Sequence, residues 1–234
     1  MQEDKVSYQS TGRSYDGRFF VPDGGAATVR AGVMVLHGGA GAGAHEMERA
    51  RMLAERGYVA FVPDLFGEVF TSRERGVQVI TGLAGDPLTL RARLAAALEC
   101  MRAHPFVPPT RTAAIGFCFG GFAALELARS GAELRAAVSF HGGLGARMPG
   151  EAGKLKASVL VCTGAADPFA TRDQRSSFED EMTRAEADWQ MHVYANAMHG
   201  FTERGIDRPG CGYHEGADKR SWSAMHALFD EAFV

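Results

Sequence analysis

The segment that decides the fold spans residues 113–125 and has the sequence AAIGFCFGGFAAL. Its first half is an unbroken apolar run, which is typical of a strand covered on both faces of a sheet. Its second half is small, apolar and spaced as in a helix. Gly116, Gly120 and Gly121 surround Cys118 at the junction, where a sharp turn needs residues without bulky side chains. The segment therefore predicts a nucleophile elbow that carries a cysteine.

Two interpretations of Cys118 are open at this point. A glycine-rich turn can hold a cysteine merely as a small buried hydrophobic residue. Alternatively, the N-terminus of the following helix favours a thiolate, because its dipole and free N–H groups stabilise negative charge. The rest of the chain has to decide between a structural and a chemical role.

The bulk composition bounds the class of protein. The chain has 234 residues, a net charge of −3 and 46% hydrophobic residues, and such a chain fits one α/β domain spanning residues 1–234. This charge gives no electrostatic case for binding nucleic acid or an anionic membrane. No apolar run reaches the roughly 18 residues of a membrane span, and the N-terminus shows no secretory signal. We therefore expect a cytoplasmic protein.

The four cysteines form no CxxC pair, which argues against a zinc ribbon or a thioredoxin-like redox site. In a chain of this length without an export signal, reduced thiols are expected. No ligand cluster suggests a metal, and no cofactor is expected.

Strand-like and helix-like segments alternate along the chain. After an N-terminal hairpin, we predict parallel strands near 33–36, 58–62, 112–117, 136–140, 159–162 and 190–194. Helices are predicted near 46–56, 119–130, 173–187 and 221–233, and Asp86-Pro87 begins a further one, with Asp as N-cap. Residues 66–85 are less regular and suggest a short helix within a loop. The fold class is α/β with a mainly parallel sheet.

An acid and a histidine follow the elbow in the order that elbow-type hydrolases use. Asp167 comes after the strand at 159–162, and His199 comes after the strand at 190–194. Carboxyl ends of parallel strands gather at one edge of a sheet. Alone, each residue is better explained as a turn carboxylate or an ordinary histidine. Together they predict that His199 accepts the Cys118 proton and that Asp167 orients His199.

A glycine-rich loop, His37-Gly38-Gly39-Ala40-Gly41, follows the strand at 33–36. The attacked oxygen needs donors, and we expect them to be the backbone N–H groups of Phe119 and Gly39. His37 and His141 also end strands, and they suit the pocket wall or bracing of loops.

The same loop supports a competing interpretation. Residues 39–44 fit the pattern G-x-G-x-x-A, and Asp64 follows at about the distance of a dinucleotide-binding fingerprint. A dinucleotide-binding oxidoreductase therefore stays open, but it leaves Cys118, Asp167 and His199 unexplained. A non-catalytic, ligand-binding relative of hydrolases is another alternative. A thiol peroxidase is weaker, because no resolving cysteine is recognisable.

Taken together, the motifs resemble the dienelactone hydrolase family of the α/β-hydrolase fold. The resemblance covers nearly the whole chain and includes residues 57–65, the elbow at 116–121, residues 164–168 and His199-Gly200-Phe201. It implies that the family's Cys, Asp and His correspond to Cys118, Asp167 and His199, and its oxyanion donors to Phe119 and Gly39.

One departure from the family concerns Gly38. Members that open dienelactones have a glutamate at the corresponding place, which keeps the thiol neutral until a substrate carboxylate displaces it. Arg73, Arg75 and Arg204 lie in suitable loops for a substrate carboxylate, but none matches cleanly. The absence of that glutamate predicts that Cys118 and His199 are paired even without substrate, which favours neutral esters.

The sequence thus predicts a metal-free hydrolase of activated esters with a Cys-His-Asp triad and a small-molecule ester as substrate. Phosphotriesters enter as substrates only through the resemblance, which extends to family members that hydrolyse them alongside aryl esters. The alternative within the family is a lactone hydrolase of the carboxymethylenebutenolidase type. Five phenylalanines are candidates for an apolar pocket as well as for the core: Phe66, Phe70, Phe117, Phe119 and Phe201. A homo-oligomer is compatible with the sequence.

Overall fold

A mostly parallel sheet of eight strands organises the protein. The computed structural model describes residues 1–234. The strands are β1 (Gln2–Ser10), β2 (Arg13–Val21), β3 (Ala31–Leu36), β4 (Tyr58–Pro63), β5 (Thr112–Phe117), β6 (Ala136–Phe140), β7 (Ser158–Gly164) and β8 (Trp189–Tyr194). Their spatial order is β1-β2-β4-β3-β5-β6-β7-β8. The pairs β1–β2 and β2–β4 are antiparallel, and all other neighbours are parallel. The predicted fold class is confirmed.

Six α-helices connect and cover these strands. They are α1 (Ala44–Ala54), α2 (Arg73–Gly85), α3 (Pro87–Arg102), α4 (Phe119–Arg129), α5 (Arg172–Arg184) and α6 (Glu215–Ala232). A short 3-10 helix spans Ala26–Thr28, and a small hairpin is formed by β9 (Asp207–Arg208) and β10 (Cys211–Gly212). None of the helices combines the length and apolarity needed to cross a membrane.

The alternating side chains of the central strands build two apolar layers. Strands β3, β4, β5 and β6 are buried along their whole length. In β3, Met34 and Leu36 face the core that α3, α4 and α5 share, whereas Val33 and Val35 face the core of α1 and α6. Because both faces are covered, these strands are continuous apolar runs rather than alternating ones.

The N-terminal hairpin agrees with its turn residues. Thr11 and Gly12 have φ angles of 49° and 75°, so the two-residue turn has the left-handed geometry that matches the twist of antiparallel strands. Residues of β1 and β2 then pair in an unbroken register from Gln2↔Val21 to Ser10↔Arg13.

The helix boundaries show which local signals were decisive. Asp86 accepts the N–H of Thr89 and caps α3, as predicted from Asp86-Pro87. The expectation of only a short helix within 66–85 was wrong, because α2 has 13 residues and begins after an N-cap at Ser72. Only Gly76 and Leu83 of α2 are buried, so its apolar periodicity is too weak to predict its length. The last helix also begins earlier than predicted, at Glu215, because His214 caps it.

Candidate active site

The predicted site residues meet at the carboxyl edge of the parallel strands. Cys118 directly follows β5, Asp167 follows β7, and His199 lies in the segment after β8. The side chains of Cys118 and His199 line one common cavity. Asp167 lies behind His199, with 4% of its surface exposed.

The elbow at Cys118 requires its glycines. Cys118 has φ 53° and ψ −114°, a conformation that costs a non-glycine residue on the order of 1–3 kcal/mol. A Cβ atom at Gly116 would lie 2.0 Å from the carbonyl oxygen of Gly120, and one at Gly120 would lie 2.1 Å from that of Leu36. The chain thus passes so close to itself on both sides of Cys118 that side chains are excluded there.

His141, for which the sequence predicts a place in the pocket wall or a role in bracing loops, holds the peptide of Cys118. The N–H of Cys118 donates to the carbonyl of Phe140 and to Nδ1 of His141, both at 3.1 Å. Since Nδ1 accepts, the proton of the ring lies on Nε2, which is 2.8 Å from Oγ1 of Thr202. Complete burial, followed by the charge of His199, holds the pKa of His141 far below its ordinary value. His141 is therefore a neutral support beneath the elbow.

His199 is held by Asp167. Its Nδ1 atom lies 3.0 Å from Oδ2 of Asp167. The other oxygen, Oδ1, accepts the N–H of Phe169 at 2.8 Å. Because Asp167 is fixed by its own loop, the imidazole has one preferred orientation, with the N–H of Nδ1 directed at Asp167 and with Nε2 on the opposite side of the ring.

The pKa of His199 results from opposing effects. Burial, the largest single effect, lowers it, whereas hydrogen bonding to Asp167 and Cys118 and the charges of both raise it. The net result is a pKa of about 10. This raised pKa favours the protonated imidazole at neutral pH, next to the sulfur of Cys118.

The loop after β3 lies beside the elbow, because a Cβ atom at Gly38 would lie 3.7 Å from Cβ of Cys118; Gly39, the predicted second donor, is not among the residues that line the cavity. Phe119 is the first residue of α4, so its N–H has no partner within the helix. Gly39 packs against α2, because a Cβ atom there would lie 2.8 Å from Cδ1 of Ile80. His37 stabilises this loop: its Nδ1 lies 2.9 Å from the carbonyl oxygen of Gly38, and its Nε2 accepts the N–H of Leu65 at 3.0 Å.

The dinucleotide interpretation of this loop is disfavoured by Glu46 of α1. The carboxylate of Glu46 accepts the N–H groups of Gly38 at 3.2 Å and Gly43 at 2.9 Å. A negative charge therefore already occupies the glycine N–H groups that a pyrophosphate would need. Asp64 accepts the N–H groups of Phe66 and Gly67, so it closes its own turn.

The cavity next to Cys118 has a volume of about 650 Å³. Its apolar lining includes Val77, Ile80, Phe119, Phe122, Leu144 and Phe169. Of the five predicted phenylalanines, only Phe119 lines it. Phe66 and Phe70 pack behind Phe119, and Phe117 and Phe201 belong to the core on the other face of the sheet. Phe122 and Phe169, which do line the cavity, were missed.

The cations near the cavity differ from those predicted. Arg73 lines the cavity, but Arg75 pairs with Glu68 on the surface and Arg204 lies over the ring of Tyr213.

Arg208, in the small hairpin, also lines the cavity. Cys211 lines it as well, because its short strand bridges to His199. No signal in the sequence pointed to Arg208 or Cys211, because a strand of two residues has no periodicity. No group of three or more His, Cys, Asp or Glu side chains is arranged to hold a metal ion.

Known proteins resemble this chain in both sequence and structure. The model of the family described as "Dienelactone hydrolase family" matches residues 16–233. A dienelactone hydrolase-like promiscuous phosphotriesterase from metagenomic libraries is 41% identical, with a TM-score of 0.91 over 99% of this chain and 98% of its own. A structure named m3DLH is 39% identical, with a TM-score of 0.92 over 100% and 99% of the two chains.

A Synechocystis protein that is provisionally named a carboxymethylenebutenolidase is 26% identical over 84% of each chain. The family match begins within β2 and covers the rest of the sheet, the elbow and the segment with His199. The chain therefore belongs to the dienelactone hydrolase family, and it is a hydrolase of ester bonds.

Proposed function

We propose that the protein hydrolyses activated esters, namely aryl and other carboxylic esters and phosphotriesters, through a covalent intermediate on Cys118. In this proposal His199 accepts the thiol proton and Asp167 orients His199. The N–H groups of Phe119 and Gly39 bind the developing oxyanion. The substrate is a small molecule.

The observation that carries the proposal is the position of His199 next to both Asp167 and Cys118. Its Nδ1 lies 3.0 Å from Oδ2 of Asp167, and the ring lines the same cavity as Cys118, whose charge raises the pKa of His199. A protonated imidazole next to a thiol stabilises the thiolate, which is the reactive form of cysteine. This supports a resting ion pair that is ready to attack before any substrate charge arrives.

The steps follow from this pairing. The thiolate attacks the ester carbon, a bond from sulfur to carbon forms, and the carbonyl electrons move to the oxygen that the two N–H groups bind. The intermediate then expels the alkoxide or aryloxide, which receives the proton of His199. A water molecule, deprotonated by His199, attacks the thioester, and the sulfur leaves as thiolate. With a phosphotriester the same sequence occurs at phosphorus.

The substrate range draws on the cavity and on the comparisons. An apolar cavity of about 650 Å³ is large enough for an aryl group. The relative with 41% identity is described as a promiscuous phosphotriesterase, which supports phosphotriesters for this chain. A lactone substrate is the alternative that the name of the Synechocystis relative suggests.

The test compares Cys118→Ala with the unchanged protein on p-nitrophenyl butyrate, paraoxon and a dienelactone. We expect the variant to lose at least 1,000-fold in kcat/KM on the preferred ester. Intact mass after rapid quenching should show an acyl or phosphoryl adduct on Cys118. Cys100→Ser serves as the matched control, because Cys100 lies in α3, outside the cavity. Undiminished turnover in Cys118→Ala would overturn the proposal.

A further inference from the structure

A second carboxyl group lies close to the proposed nucleophile. The position that a Cβ atom would take at Gly38 is 3.7 Å from Cβ of Cys118 and 3.9 Å from Oε1 of Glu203. The carboxyl of Glu203 and Cβ of Cys118 thus both border the place where Gly38 has no side chain. Glu203 is fixed there by its backbone, because its N–H donates to the carbonyl of Gly200 at 2.8 Å, in a tight turn just after His199.

The side-chain carboxyl of Glu203 makes no hydrogen bond and no ion pair. It is half-buried, and the groups that act on it do so through charge alone: Glu46 of α1, Arg208 of β9 and His199. Burial, and then the negative charge of Glu46, raise the pKa of Glu203, whereas Arg208 and His199 lower it. A carboxyl without a hydrogen-bond partner that borders a reactive site is free to act on a ligand.

The charges around the site are distributed unevenly. Arg73 and Arg208 are exposed and line the substrate cavity. Glu203 and Glu46 lie next to Gly38, outside the residues that line this cavity, and Glu46 accepts the N–H of Gly38. A substrate bound for attack by Cys118 must place its scissile centre next to Cys118 and hence near Gly38. Negative groups next to the scissile bond would therefore meet two carboxylates.

We propose that Glu203 is a specificity-determining residue that disfavours esters with an anionic group next to the scissile centre and favours neutral or cationic ones. The inference rests on the proposed attack by Cys118. Repulsion between two like charges several ångströms apart is strong in a partly buried site, but water weakens it. Glu203 also borders a groove between α1 and α6, where one of its sides is hydrated, so we expect roughly tenfold discrimination. Specificity then comes from a repulsive element rather than from an added contact.

The experiment uses three p-nitrophenyl esters with one leaving group and acyl groups of similar size: butyryl (neutral), succinyl (anionic) and a trimethylammonium-bearing acyl (cationic). The quantity measured is the ratio of kcat/KM for the succinyl ester to that for the butyryl ester. We expect Glu203→Gln to raise this ratio about tenfold and Glu203→Lys to raise it further. The ratio for the cationic ester should move in the opposite direction.

Glu48→Gln is the matched control, because Glu48 is exposed on α1 and borders the same groove as Glu203. Its succinyl-to-butyryl ratio should stay at the wild-type value. Arg208→Gln should lower that ratio, since it removes a cation that offsets Glu203. Thermal unfolding of each variant checks that the fold is retained. Because Glu203→Gln and Glu203→Lys should both raise the succinyl-to-butyryl ratio, either of them tests the inference if the other is poorly stable.

The outcomes separate the two proposals. An unchanged ratio in Glu203→Gln and Glu203→Lys, with turnover that still depends on Cys118, overturns this inference alone. A uniform loss on all three esters also overturns it, because it would indicate a structural role. Turnover of the butyryl ester that persists in Cys118→Ala overturns the proposed function and, with it, the inference.

Discussion

The backbone N–H of Cys118 donates a hydrogen bond to Nδ1 of His141 at 3.1 Å. The peptide that carries the proposed nucleophile is thereby fixed by a side chain from the next strand of the sheet. His141 itself has a φ angle of 41°, so the chain holds two consecutive strained turns, at the ends of β5 and β6, against each other. Strained backbone of this kind persists only where its surroundings enforce it.

Replacing His141 should therefore affect both stability and activity. We expect His141→Ala to lower the free energy of unfolding by about 2–4 kcal/mol, since a buried ring and an acceptor are lost. We also expect kcat on p-nitrophenyl butyrate to fall at least tenfold. Asn tolerates the left-handed conformation and offers an acceptor near the place of Nδ1. His141→Asn should thus recover much of both losses, and equal losses in the two variants would contradict the role of the hydrogen bond.

The contact between Asp167 and His199 should set a pH dependence. Asp167→Asn keeps the shape of the side chain but removes its charge, so the pKa of His199 should fall from about 10. We expect kcat/KM to fall at least 100-fold, by analogy with the orienting carboxylates of other triads. NMR titration of the imidazole gives the pKa directly.

The sign of the stability effect follows from linkage. A histidine whose pKa is raised in the folded state stabilises it fully below the unfolded value of about 6.5, and this stability is lost as the pH rises to about 10. Urea unfolding at pH 6, 8 and 10 should show the difference between wild type and Asp167→Asn shrinking with pH. A difference that is independent of pH would show that the charge of His199 is not involved.

Two glycines of the site should differ sharply in their tolerance of alanine. A Cβ atom at Gly120 would lie 2.1 Å from the carbonyl oxygen of Leu36, and backbone atoms cannot move aside easily. We expect Gly120→Ala to lose more than about 3 kcal/mol of stability or to fail to fold. At Gly38 the nearest atom would lie 3.6 Å away, so Gly38→Ala should stay within about 1 kcal/mol of wild type. Chemical denaturation of the two variants makes this comparison.

Three of the four cysteines, Cys100, Cys118 and Cys162, should react with iodoacetamide at very different rates. Cys118 is partly exposed and lies beside the protonated His199, so it should be alkylated first at pH 7.5. Burial raises the pKa of the Cys100 thiol, and that of Cys162 to about 12, so the first should react slowly and the second not at all. Peptide mass mapping over time measures the order. Faster labelling of Cys100 than of Cys118 would contradict a thiolate at the elbow.

The sequence by itself determined much of the architecture. Strands β3 to β6 are unbroken apolar runs because they are covered on both faces, and this signal is local. The cap at Asp86 and the turn at Thr11-Gly12 are equally local, since each depends on the chemistry of one or two residues. The order of Cys118, Asp167 and His199 at strand ends also predicted that they would gather at one edge of the sheet.

Only the tertiary structure decided what surrounds these residues. The place of His141 at a strand end predicted a bracing or pocket-wall role, but no periodicity or spacing encodes its hydrogen bond to the peptide of Cys118 or the position of Glu203 next to Gly38. Arg208 and Cys211 enter the cavity through a hairpin with strands of two residues, too short to leave a pattern. Local propensity fixes helices and strands, whereas the charge and shape of the site depend on contacts between residues far apart in sequence, which exist only once the chain has folded.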